Sequence, residues 1–220
     1  MATRMYFGSL TTAAVAPAND SWSMTAGAGA AMELLRKADG STAATVTSNN
    51  TGTVGNTILL RQYVSEPLPY AMTITGKVFG VARCIESNAS ASHTLAVSIR
   101  ACSNDGSTIR TPSLLVIRAS DNGSVAPYEM GSSLSTTLFY DSGENSYLSL
   151  TNCDVQEGDR IVVEVGYRNG STTTTRTGGV NFGAPTTTDL AYQTTLANIY
   201  NPWIEFTADL FVKPGEAFFG

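Results

Sequence analysis

The chain has 220 residues, of which only 14% are charged, with a formal net charge of -5 and an isoelectric point near 4.8. Its 13 Lys and Arg are scattered, with only Arg36-Lys37 adjacent, which speaks against the clustered basic patch that direct nucleic-acid binding needs. No run approaches the roughly 20 apolar residues of a membrane-spanning helix, and Ser9, Thr11 and Thr12 interrupt the early segment where a secretory signal would be continuous.

Arg4 to Phe7 reads as a short strand, after which the pattern dissolves into Ala, Thr, Ser, Gly and Asn up to Asn56. The concentrated apolar patch of that stretch is Met32-Glu33-Leu34-Leu35, a helical turn or an added strand. A segment this polar buries little surface alone, so residues 1–56 are expected as an extended N-terminal arm with short strand or turn elements. From Thr57 onward the grammar is β. Thr57 to Val64 makes a strand closed by Glu66-Pro67-Leu68-Pro69. Met72 to Cys84 alternates, with Met72, Ile74, Val78, Ala82 and Cys84 on one face and Phe79, Val81 and Arg83 on the other. Glycines within that row, Gly76 and Gly80, suggest a bend or the close approach of another sheet. His93 to Cys102 alternates again, with Leu95, Val97, Ile99 and Ala101 together. Leu114 to Arg118 and Thr136 to Tyr140 are weaker strands, set off by the turns Ser103-Asn104-Asp105-Gly106, Asp121-Asn122-Gly123 and Asp141-Ser142-Gly143. Ile161 to Tyr167 and Trp203 to Val212 are strong ribbons, the last with Ile204, Phe206, Ala208 and Leu210 on its core face. Short strands punctuated by turns predict an all-β fold: a β-sandwich or jelly roll of about eight antiparallel strands over residues 57–220.

Chemistry is sparse in the sequence. The single histidine, His93, starts a strand and is not accompanied by a GxSxG elbow. Cys84, Cys102 and Cys153 are an odd number at wide spacing, which is neither a disulfide framework nor a zinc site. They read as free thiols in strands, made in a reducing compartment, although Cys84 and Cys102 have the placement to face each other on neighbouring strands. The Asp-containing turns hold too few closely spaced oxygens for calcium, and Gly27-Ala28-Gly29 lacks the ending of a phosphate loop. Glu164 and Glu205, on the polar faces of strong strands, are the only carboxylate pair to consider for glycoside hydrolysis. Period-two alternation explains them more simply as solvated residues of a half-wet sheet. Tyrosines such as Tyr63, Tyr128, Tyr140, Tyr147, Tyr192 and Tyr200 are numerous for a chain this poor in charge, and suit an interface or a sheet rim. The residues therefore predict no enzyme, no catalytic, cofactor-binding or metal-binding residue, and no cofactor.

The opening Met1-Ala2-Thr3-Arg4-Met5-Tyr6-Phe7, the run QYVSEPL (Gln62 to Leu68), GDRIVVEVGY (Gly158 to Tyr167) and NPWIEFTADL (Asn201 to Leu210) together resemble an uncharacterised group of tailed-bacteriophage virion proteins. That resemblance implies a non-enzymatic structural protein on the capsid exterior, made in the host cytoplasm. Its expected role is that of a head decoration (cement) protein binding the major capsid protein lattice and neighbouring copies of itself, as a dimer or trimer. Two further readings stand beside it: a tail or baseplate component contacting the host receptor through tip loops such as Asn169 to Thr177, and a carbohydrate-binding module stacking sugars on exposed Tyr and on Trp22 or Trp203.

Overall fold

A computed structural model describes residues 2–26, 29–38, 40, 42–50, 53–117, 129–133, 135–138, 147–170, 174–191 and 200–212. The expected turns Asp121-Asn122-Gly123 and Asp141-Ser142-Gly143, together with Tyr128, Tyr140 and Tyr192, lie outside the described residues.

The fold is all-β. Residues 3–49 supply β1 (Thr3–Thr12), β2 (Met24–Thr25), β3 (Met32–Leu35) and β4 (Ala44–Asn49). The centre of the chain supplies β5 (Thr57–Ser65), β6 (Met72–Ile74), β7 (Lys77–Glu86), β8 (Thr94–Cys102) and β9 (Leu115–Ile117). The remainder supplies β10 (Ser135–Leu138), β11 (Leu148–Ser149), β12 (Cys153–Val155), β13 (Arg160–Arg168), β14 (Thr177–Phe182) and β15 (Trp203–Phe206). One 3-10 turn, Ala89–Ala91, is capped by Asn88, whose side chain accepts the Ser90 amide. No helix among the described residues is long and apolar enough to cross a membrane.

Thirteen strands form one mixed sheet, with the path β4-β14-β7-β15-β1-β3-β5-β13-β8-β9; β10 and β11 pair β7, and β2 pairs β5. A small second sheet joins β12 to β6. Fifteen strands among the described residues thus replace the expected eight or so, and the expected all-antiparallel pairing fails at β5, along which β2 and β3 both run parallel. The additional strands are short or rich in Gly, Ser and Thr, which do not stand out from turns in sequence.

The segment expected as an arm is woven into the sheet. Strand β1 lies between β15 and β3, in register Met5↔Ile204 and Phe7↔Leu34, and β4 pairs β14 along its whole length. Met5, Phe7 and Leu34 are buried in the main core.

Alternation places the core. Met72, Ile74, Val78, Ala82 and Cys84 belong to the main cluster, or pack against it, as their shared face predicts. Phe79 and Val81, on the opposite face of β7, enter a second cluster with Leu190 and Trp203. The expected single strand from Met72 to Cys84 is cut at Gly76, whose φ of +95° only glycine adopts readily. The last strand ends at Phe206 instead of Val212, yet Ile204, Phe206 and Leu210 are fully buried. Strands far apart in the sheet order meet across this core: Phe7 of β1 and Tyr63 of β5 both touch Phe182 of β14, with ring centroids 6.3 and 5.3 Å away. The sheet therefore curls until its two halves face each other.

Candidate functional site

Glu164, expected on a wet face, is fully buried. Its carboxylate accepts from Arg100 Nη2 at 2.7 Å, Gln62 Nε2 at 3.0 Å and Trp22 Nε1 at 2.7 Å. The backbone amide of Asp20 approaches both carboxylate oxygens, at 3.1 and 3.2 Å. A short strap, residues 17–22, covers the outer face of β5, β13 and β8 and brings these donors in. Arg100 also donates to Ala18 O, Gln62 to Pro17 O and Asn19 Oδ1, and Ser98 to Asp20 Oδ2. Trp22 reaches its partner because Gly166 has no side chain: a Cβ there would stand 2.9 Å from the indole ring and 2.0 Å from Ile58 O. A carboxylate so fully bonded and dry is a structural anchor.

Glu205 sits on β15, separated from β13 in the sheet path by β1, β3 and β5, so the two carboxylates do not form a pair. Glu205 is the centre of a surface constellation. Arg4 donates to it at 2.9 Å through Nε and lies 2.8 Å away through Nη2, and the same guanidinium bonds Asp189. Tyr147 OH donates to Glu205 Oε1 at 2.9 Å. Beneath Arg4 lies Trp203, its ring centroid 3.8 Å from the guanidinium carbon, in cation–π geometry. Trp203 is held by a bond from Nε1 to Leu190 O and by Phe79, 5.3 Å away between ring centroids. Burial, followed by its hydrogen bond to Asp189, pushes the Tyr6 hydroxyl up to about 12, and the bond to Glu205 raises Tyr147. Arg4 and Asp189 keep about a third of their side-chain surface in solvent. The patch therefore offers an aromatic floor with one cation and two carboxylates, in reach of a partner or ligand.

His93 is fully buried, its ring 4.7 Å from that of Tyr167. Among the described residues neither ring nitrogen has a hydrogen-bond partner, and burial lowers the pKa of the ring to about 4. Its backbone amide donates to Glu86 Oε2 at 2.8 Å, and burial raises the pKa of that carboxyl. The imidazole is neutral at pH 7. All three cysteines are free and buried, and burial pushes Cys102 up to about 11. Among the described residues, no group of three His, Cys, Asp or Glu is placed to hold a metal ion.

A cavity of about 210 Å³ opens where the strap, the residues before β3 and β5 come together. It is lined by Ala16, Pro17 and Asn19, by Thr25 and Gly29 to Ala31, and by Leu59 to Gln62. Sequence reasoning missed it, because it exists only through the parallel pairing of β2 and β3 on one strand.

No family model and no curated protein matches the chain. Solved structures do. A CocE/NonD family hydrolase from Staphylococcus aureus matches with a TM-score of 0.52 at 8% identity, over 94% of this chain and 36% of the hydrolase. A second structure of a CocE/NonD family hydrolase from the same organism matches with a TM-score of 0.45 at 9% identity, over the same shares. An aminopeptidase from a marine sediment archaeon, Thaumarchaeota archaeon, matches with a TM-score of 0.40 at 13% identity, again over 94% and 36%. At these identities the likeness is one of fold, and the chain spans about a third of the length of the hydrolases it matches.

This corrects the functional expectation. The fold is one that a hydrolase carries, which overturns the reading of the chain as a non-enzymatic virion decoration protein, and the capsid vocabulary that went with it. The physical reason is that alternating strands, Gly-Asp turns and low charge specify a packed β architecture, and one architecture serves many functions. What places this chain among known proteins is its fold, and that fold is shared with part of a hydrolase.

Proposed function

We propose that the chain is a β-sandwich domain that works within a hydrolase, presenting the Arg4–Glu205 patch to a catalytic unit and its substrate. The observation that carries this reading is the fold match over 94% of the chain to 36% of a CocE/NonD family hydrolase. The facing halves of the curled sheet, joined by Phe7, Tyr63 and Phe182, support the sandwich description. The interior supports the division of labour: Glu164 and His93 are fully buried, whereas Arg4 and Asp189 of the patch keep about a third of their side-chain surface in solvent. Aromatic residues and Arg are the side chains that dominate the energetics of protein interfaces.

The test is hydrolytic. The full chain, immobilised, is incubated with extract of its source cells, and bound material is assayed with p-nitrophenyl esters and aminoacyl p-nitroanilides. Retained hydrolysis that drops on Arg4→Glu is the expected result. No hydrolysis, either in the captured material or by the chain itself, overturns the reading.

A further inference from the structure

Strand β4 stands at one end of the main sheet, with β14 as its only strand partner among the described residues. Hydrogen bonds at the end of that ladder fix which way its backbone faces. The Asn50 amide donates to Arg176 O, and on the other side of β14 the Ser87 amide donates to Thr177 O. Antiparallel alternation then turns the backbone of Ala44, Val46 and Ser48 toward β14, and that of Thr45, Thr47 and Asn49 outward. Thr45, Thr47 and Asn49 are also the exposed residues of the strand. Among the described residues nothing bonds the outward amides and carbonyls of Thr45 and Thr47, and the Asn49 carbonyl accepts only from its neighbour Ser48 Oγ, at 3.2 Å.

A bare edge is a template for another strand, and edges that must stay single carry Lys, Pro or a bulge. β4 reads ATVTSN in unbroken register with β14 and has none of these. The opposite end of the sheet is guarded differently: β9 is three residues long, and the Thr151 amide closes the Leu114 carbonyl just before it. Charge decides what fits on β4. No charged residue occurs from Gly40 to Leu60 or from Thr177 to Thr188, a span that takes in β4 and the strand behind it. The chain as a whole carries -5, so two copies repel on approach, and this seam is where they touch with no like charges opposed. A charged partner would find nothing here to pair with.

We propose that β4 pairs with β4 of a second copy, antiparallel about a two-fold axis at Thr47. Thr47 then faces Thr47 of the second copy, Thr45 faces Asn49, and Val46 lies across from Ser48. The outward amides and carbonyls of the strand find partners, and the two main sheets become one. Thr–Thr pairs are favourable cross-strand neighbours. A two-fold uses each edge once, so the assembly closes at two copies instead of growing into a fibre. The seam makes no use of the Arg4–Glu205 patch, which lies on β1 and β15, and does not depend on the hydrolase reading.

The full chain is followed by sedimentation equilibrium over the micromolar range. A monomer–dimer equilibrium is expected, with the Thr47 amide exchanging more slowly as concentration rises. The variants are made at Thr47 because the Thr45 hydroxyl already accepts from Asn181 Nδ2, at 3.0 Å. Thr47→Pro deletes the outward N–H in both copies while sparing the ladder to β14, and should weaken the dimer at least about tenfold. Thr47→Lys and Thr47→Glu each set like charges face to face and should be monomeric, whereas an equimolar mixture of the two should dimerise again. That rescue also shows that both variants fold. A parent chain monomeric throughout, a dimer indifferent to all three substitutions, or a mixture that stays monomeric although both variants keep the parent's far-UV circular dichroism would overturn the assignment.

Discussion

Arg100 and Glu164 meet diagonally across the β8–β13 ladder at 2.7 Å, their side chains 5% and 0% exposed. The pair is covered by the strap that carries Asp20 and Trp22, so one ion pair couples two strands to a segment about 80 and 140 residues earlier in the chain. Removing one partner leaves the other charged and dry. Glu164→Gln should therefore cost about 3–5 kcal/mol, read from the urea midpoint. It should also shift Trp22 emission to the red, as the strap that carries the indole loosens from the damaged pair.

His93 fixes a pH dependence of definite sign. Its folded pKa, about 4, lies below the ordinary value of 6.5, so between these values the unfolded chain binds the proton and the folded chain does not. Stability from this group is complete above about pH 6.5, falls as pH drops, and is lost by about pH 4, for a total of roughly 3 kcal/mol. Glu86 acts in the opposite direction: its raised pKa means that protonation favours the fold. The net acid slope should flatten in His93→Leu and steepen in Glu86→Gln, measured by urea titrations at successive pH values.

Phe206 is fully buried in the main core, in register with Thr3 and Val78. Phe206→Ala should destabilise by about 3–5 kcal/mol, with the far-UV circular dichroism of the folded state unchanged. A cost below about 1 kcal/mol would mean that the site collapses onto the space left behind.

Gly166 stands at the irregularity where β13 shifts register against β5. A single methyl there meets Ile58 O and the Trp22 ring, so Gly166→Ala should cost at least about 1–3 kcal/mol through overpacking. The strap should loosen with it, visible as faster amide exchange at Asp20 and Trp22.

The strands written in alternating apolar residues were legible, because burial of one face imposes a period of two. β7, β8 and β13 fall within a few residues of where that pattern puts them, and the faces assigned to Leu95, Val97, Ile99 and Phe206 hold. β14 was not legible. It reads TGGVNF, and its glycines are called for by neighbours elsewhere in the chain: a Cβ at Gly178 would lie 2.8 Å from the Tyr167 ring. The same nonlocality hid the sites. Glu164 looks like a wet-face residue until residues 17–22 are laid over it, and the Arg4–Glu205 patch joins positions 201 residues apart. The lone His93 carries no sequence mark that it is sealed against Tyr167.

The pairing of Thr3 with Phe206 and Tyr6 with Trp203 also bears on biosynthesis. As the chain leaves the ribosome, β1 is made about 200 residues before the strand that covers one of its edges. Until then that edge is an open template for other chains. Closing it requires contacts of very long sequence separation, which places this protein among the slow folders. Growth at lower temperature, or a chaperone that shields β1, should raise its recovered yield more than any substitution in the finished core.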